Sequence, residues 1–251
     1  MAFLMMVEDD TEFAEAIAEL IGGDAALTAR LLQVANSPLY RGRVPIDNLQ
    51  LAVARLGTQL VRTLVLSLIM QQIFQATNDL LDARFRQIWE DSVQIAALSR
   101  VLAQGLPHLD KEQALLAGLI HHIGALPILA MAEQSPELVD DSQELDRVLA
   151  ALSPRIGERI LIEWDFPESL TRVPANFLNL GYESDNAADY VDVVIAARLQ
   201  KALMDQDQPL DAMDGRKIPA LAKVGLEAEI QVIDIEGVAE DVAEIEHILI
   251  T

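Results

Sequence analysis

The sequence predicts an all-α fold, and three observations carry that prediction. Apolar residues recur at three- and four-residue spacings through most of the 251 residues. The composition is 51% hydrophobic but only 4% aromatic, which suits helices packed on an aliphatic core. The 12 Gly and 10 Pro fall mostly near apparent element ends, and no stretch alternates apolar and polar residues long enough to read as a strand. No internal repeat or low-complexity tract divides the chain. A single compact multi-helix domain is therefore expected over 1–251. Its N-terminal helical part would cover about 11–78, its core about 80–204 and its last helices about 215–250.

From the N-terminus, an apolar run ending in Glu8-Asp9-Asp10 resembles the first strand of a receiver domain. A receiver needs about 120 residues of alternating strands and helices, and the residues after Asp10 read as helical instead. Thr11 to Ile21 carries an apolar stripe at Phe13, Ala14, Ile17, Leu20 and Ile21, closed by Gly22-Gly23. Asp24 is a suitable N-cap for a helix with Leu27, Leu31, Leu32 and Ala35 on one face, and Asn36-Ser37-Pro38 ends it. After the loop Arg41-Gly42-Arg43-Val44-Pro45, a helix starting near Asp47 is expected to bury Leu49, Leu51, Ala52 and Leu56. Gly57 punctuates. Leu60 to Phe74 is apolar enough to be mostly buried.

Asp82 to Gln104 reads as a long amphipathic helix with Phe85, Ile88, Trp89, Ile95, Ala96 and Leu98 inward. Glu112 to Ala130 is apolar nearly all round and belongs at the centre of the bundle, with Pro127 expected to kink or break its last turn. Pro136 to Glu144 is a loop or helix start. Leu145 to Leu152 and Ile156 to Trp164 read as two helices separated at Ser153-Pro154, and Pro167 is placed for a first helical turn. Ala187 to Leu203, Gly215 to Val224 and Glu227 to Ile250 complete the helices.

Composition also excludes. A net charge of −22 argues against a phosphate-backbone binder. The charge is uneven: residues 36–90 hold Arg41, Arg43, Arg55, Arg62, Arg84 and Arg86 against only Asp47, Asp79, Asp82 and Glu90. With no cysteine there are no disulfides, thiolate metal sites or cysteine nucleophiles. No apolar run is read as reaching the roughly 18 residues of a membrane span. The N-terminal apolar patch has neither a basic flank nor a cleavage site, so a cytoplasmic protein is the expectation.

With these motifs placed, the chain resembles the HDOD (HD-related output domain) family. Ile21-Gly-Gly-Asp-Ala-Ala-Leu-Thr-Ala-Arg-Leu-Leu-Gln-Val-Ala-Asn-Ser-Pro-Leu-Tyr40 is close to the family's DPALT-like helix leading into an Ala-Asn-Ser turn. Leu51-Ala-Val-Ala-Arg-Leu-Gly57 looks like its Ala-Ile-x-x-Leu-Gly element. Ile156-Gly157, Trp164 and Pro167-Glu168 are similar to its Gly-x-x-Leu-Leu-x-x-Trp-x-Leu-Pro stretch. The resemblance runs from about Phe13 to about Leu203. It implies a bacterial regulatory module related in fold to HD-type metal-dependent phosphohydrolases, often joined to receiver or cyclic-nucleotide signalling domains. Members carry a further helix before the first one here, so the chain is expected to start late or to pack its N-terminus differently.

The resemblance also implies where metal ligands would lie. Asp91, in Ile88-Trp89-Glu90-Asp91-Ser92, stands where an Ile-Trp-x-His-Ser motif has histidine. His121 keeps the first position of a His-Asp-Ile-Gly motif, while His122 replaces its aspartate. Phe177-Leu178 occupies the register of a histidine pair, and Ala197 that of the last aspartate. Neighbouring residues on a helix diverge by about 100°, so His121 and His122 are not expected to share a metal. Both then read as polar residues near the core, satisfied by neighbours such as Asp91.

Other chemistry has little support. No phosphate-binding glycine motif occurs, and Ser37 reads as a turn residue rather than a nucleophile. The expectation is a signalling module that binds another protein, without catalysis, cofactor, nucleic acid or membrane, with Arg41 and Arg43 as contacts for an anion or partner. Two alternatives stand: a phosphohydrolase holding a divalent transition metal through Asp91, His121 and His122, and a domain that senses a nucleotide through the arginines.

Overall fold

In a computed structural model the chain is described at residues 25–73, 79–184, 187–205, 218–226 and 238–250. Every regular element among these residues is helical, as expected. The expected helix from Thr11 to Ile21, the Asp24 cap, the Met1–Asp10 segment, Phe74, and the portions 215–217 and 227–237 lie outside the described residues.

The first element, α1 (Ala25–Ala35), buries Leu31, Val34 and Ala35, while Leu27 and Leu32 are half-buried. Asn36 then staples the loop after it. Its side-chain amide donates to the carbonyls of Leu32 (2.9 Å) and Ile46 (2.7 Å), and its oxygen accepts from the Ile46 amide at 2.8 Å. That is the physical content of the Ala-Asn-Ser turn: one asparagine closes ten residues of chain. Ser37 closes the turn through its carbonyl, which accepts from the amides of Tyr40 and Arg41.

Helix α2 (Leu49–Leu56) starts two residues later than expected, because Asn48 rather than Asp47 caps it, accepting from the Leu51 amide at 2.9 Å. Its buried residues are Ala52, Val53 and Leu56. Leu51 is 53% exposed, contrary to the expected face, because Val53 takes the inward position. Gly57, at φ 77, turns the chain through 110° into α3 (Thr58–Ile73). A side chain at that φ would strain the corner.

The spine is α4 (Asp79–Gln104), with Phe85, Ile88, Trp89, Ile95, Ala96 and Leu98 all buried as the pattern requires. Helix α5 (Lys111–Ile120), capped by Asp110, is buried at every residue from Ala114 to Ile120 and packs most extensively on α4. An ion pair between Arg100 and Glu112 (2.9 Å) joins the two, and the guanidinium also lies over the Tyr40 ring at 5.4 Å.

The expected helix Glu112 to Ala130 is not continuous. It stops at Ile120, turns through His121 to Gly124, and resumes as α6 (Ala125–Ala132). Pro127 does not cause the break; it is the third residue of α6, where an amide would lack an intrahelical acceptor anyway. Packing causes it. A Cβ on Gly124 would come within 2.0 Å of the Ser153 carbonyl oxygen and 2.5 Å of the Gly157 nitrogen. Composition alone would let Lys111–Ala132 cross a membrane, against the expectation that no run is that long, but 78% of its most apolar window is buried in the fold.

After α7 (Pro136–Asp140) the structure departs again. One helix, α8 (Ser142–Glu163), replaces the two expected around Ser153-Pro154. Pro154 costs one backbone hydrogen bond, but α8 docks along α6 and α9 (Glu168–Asn176), which holds it together. Asp165 ends this region at φ 55, with the Phe166 amide reaching back to the Leu161 carbonyl at 3.0 Å. Pro167 is the N-cap of α9 rather than its first residue.

Helix α10 (Tyr190–Met204) begins with a capping box in which Asp189 and Asp192 bond each other's amides. It packs on α4 and on α11 (Pro219–Lys223). The last element, α12 (Val238–Ile250), lays Val242, Ile245, Ile248 and Leu249 against α4. Arg30 of α1 donates to the Ile248 carbonyl, placing a cation at the negative end of α12.

Candidate functional site

Four elements bring the sequence-predicted positions together: the middle of α4, the turn after α5, the end of α9 and the second half of α10. Close backbone approach sets the site. A Cβ on Gly118 would come within 2.5 Å of the Ala96 Cα, so α5 lies directly on α4 there. Gly118 and Gly124 thus flank the histidine turn, one against α4 and the other against α8.

His121 is buried, and its Nδ1 lies 2.6 Å from the Gly118 carbonyl oxygen. A carbonyl only accepts, so Nδ1 carries the proton and Nε2 the lone pair. Burial drives its pKa well below the ordinary value, and His122 lowers it further. His122, half-buried, is brought down to about 4 by burial and by Arg198, against the opposing pull of Asp91. Both rings are therefore neutral at neutral pH.

The two imidazoles do not diverge as they would on a continuous helix. Their centroids lie 5.7 Å apart with planes 28° from parallel. Phe177 wedges against both, at 4.9 Å from His121 and 5.3 Å from His122. Its neighbour Leu178 is exposed. Phe177 is in turn covered by Arg198, whose guanidinium carbon stands 5.1 Å from the ring centre while Nη1 donates to the Phe177 carbonyl at 2.6 Å. That carbonyl ends α9, so the cation also meets a helix C-terminus.

Asp91 was expected to satisfy the histidines, but its ion pair is with Lys201, at 2.9 Å. Lys201 also bonds Asp205. Burial pulls the Lys201 pKa down, yet the hydrogen bonds to Asp205 and Asp91 more than offset it and the net shift is upward. Ala197 is fully buried and has no polar side-chain atom to offer. Among the described residues, no three or more His, Asp or Glu are grouped to hold a metal ion. Arg41 and Arg43 sit elsewhere, exposed on the loop before α2.

Sequence reasoning missed Arg198, Lys201 and Gly118. The signal was present for Lys201, which lies four residues beyond Ala197 on the same helix and hence on its face, but not for Arg198, one residue on and about 100° around.

Comparison with known proteins gives four results. The HDOD domain family model matches residues 1–177. A solved structure from Shewanella amazonensis SB2B, provisionally assigned as a metal-dependent phosphohydrolase, is 27% identical, with a TM-score of 0.80 covering 98% of this chain and 88% of that one. Another, from Marinobacter aquaeolei VT8 and provisionally assigned as a signal transduction protein, is 19% identical, with a TM-score of 0.61 covering 94% of this chain but only 55% of that one. A protein of uncharacterised function from Treponema pallidum (strain Nichols) is 23% identical over 216 residues, which is 80% of this chain and 40% of the relative. The chain thus spans less than half the length of that relative.

Proposed function

The chain belongs to the HDOD domain family, and from that premise we propose that it is a cytoplasmic regulatory module that acts by binding another protein, with no resident metal and no hydrolysis. One observation carries the reading. Where a metal-dependent phosphohydrolase needs ligands and a cation, this chain offers an aromatic ring and its own cations. Phe177 and Ala197 contribute no donor atom, Asp91 is engaged by Lys201, and Arg198 stands over Phe177. A divalent ion near His122 would face the guanidinium that already depresses that histidine. The residues present therefore do not fit the metal.

Length supports the modular part of the reading, since a solved structure with this fold and a sequence relative are both longer chains, of which this one spans 55% and 40%. The hydrolase alternative draws on the provisional assignment of the Shewanella amazonensis protein. An assay separates them. With bis(4-nitrophenyl) phosphate and added Mn²⁺, the module gives no turnover above buffer. Turnover that disappears in Asp91→Ala would overturn the proposal.

A further inference from the structure

The loop before α2 and the exposed side of α2 make a basic and apolar surface on a strongly acidic chain. Several bonds hold the loop in shape. Asn36 pairs with the backbone of Ile46 in both directions, and the Arg41 amide donates to the Ser37 carbonyl at 2.8 Å. Arg55 Nη2 donates to the Val44 carbonyl at 3.1 Å. The Arg55 guanidinium lies against Gly42, where a Cβ would meet it at 2.8 Å. Arg55 is thereby set beside Arg41 and Arg43. Among the described residues none of these three arginines is ion-paired, and the nearest acid in sequence, Asp47, accepts from Asn48.

Apolar groups adjoin the charge. Val44 is 69% exposed and Leu51 53% exposed, and Leu51 precedes Arg55 by one helical turn on the same face of α2. Exposed arginine among exposed aliphatic side chains is the composition of a recognition surface rather than of a solvated one.

We propose that Arg41, Arg43, Val44, Leu51 and Arg55 form a docking surface for a short acidic segment of a partner protein, with an apolar residue among its acids. This rests on the binding-module reading above and deepens it by giving the partner's chemistry. Charge complementarity selects the occupant. The exposed guanidinium groups of Arg41 and Arg43, with half-buried Arg55 adding its charge behind them, match a few carboxylates. A long polyanion such as nucleic acid would bring further phosphates against a chain whose net charge is −22, within a screening length of about 8 Å. A second copy of the chain would bring the same excess of acids.

The probe is a short fluorescein-labelled peptide of Asp and Glu with interspersed Leu, titrated with the full chain and followed by anisotropy. Saturable binding is expected, weaker at high ionic strength and roughly tenfold or more weaker in Arg41→Glu/Arg43→Glu. Arg41→Gln/Arg43→Gln should fall between, and circular dichroism confirms that both variants fold. Absence of saturable binding, equal binding by the reversed variant, or tighter binding of an oligo-dT strand would overturn the inference. So would self-association of the chain that the reversal abolishes. The hydrolysis assay above, run on the same preparation, keeps the two readings apart: inactive protein that ignores the peptide sinks only the acidic partner.

Discussion

His122 concentrates the physics of the site in one side chain. Its pKa lies near 4 because burial and Arg198 disfavour the imidazolium more than Asp91 favours it. Arg198→Met should therefore raise the His122 pKa toward 6.5, and Asp91→Asn should lower it further, both read by NMR titration of the ring protons. The same depression predicts how stability depends on pH. An unfolded histidine binds its proton near pH 6.5 while the folded His122 waits until about 4, so between those values the unfolded state holds more protons. Stability is full above about pH 6.5 and falls as the pH drops through that window, by about 1.4 kcal/mol per pH unit for each histidine that titrates this way. His121, shifted in the same direction, adds to the slope. Denaturant midpoints measured from pH 7.5 to 4.5 should fall accordingly, and less steeply in His122→Phe. At this scale the sequence disclosed which residues meet but not how they pair. Asp91, His121, His122 and Phe177 are brought together, yet the partner of Asp91 is a lysine one turn beyond Ala197 that the metal-site register had no reason to single out.

Helices meet at glycines here, and that explains both what the hydrophobic pattern revealed and what it concealed. The pattern marked α4 because its buried residues recur at helical spacing, and it placed α5 at the centre because that segment is apolar all round, but it ran α5 on past Ile120. It did not show that His121 to Gly124 is a turn, and the Ser153–Gly157 backbone of α8 that packs on Gly124 there is a contact distant in sequence. It likewise split α8 at Pro154, since local propensity counts the lost hydrogen bond and not the packing that offsets it. The glycine of the His-His-Ile-Gly segment is thus a packing residue, with a role independent of metal. Gly124→Ala should destabilise the fold by about 1–3 kcal/mol or more, whereas Gly105→Ala, whose nearest neighbour is 3.6 Å away, should be tolerated. Thermal unfolding distinguishes them. The join between α4 and α5 has its own test. Glu112→Ala leaves Arg100 buried without its carboxylate and should cost about 3 kcal/mol, while Arg100→Met/Glu112→Leu should cost less, as read from urea midpoints.

Across the whole molecule, fold and chemistry separate. The all-α architecture was legible from composition and periodicity, and the HDOD resemblance from the stretches 21–40, 51–57 and 156–168; in the first of these the staple from Asn36 to Ile46 explains why that residue type stands there. The functional reading was legible only as ligand positions without ligands. The groups that stand among them, Phe177 under Arg198 and Lys201 on Asp91, needed three dimensions. On this reading the chain's own cations stand where a hydrolase would hold a metal. The decisive measurement is elemental analysis of protein purified without chelator, beside the Asp91→Ala/His121→Ala variant. Metal far below one equivalent is expected in both proteins. One equivalent of a transition metal, lost in the variant while the fold is retained, would contradict it.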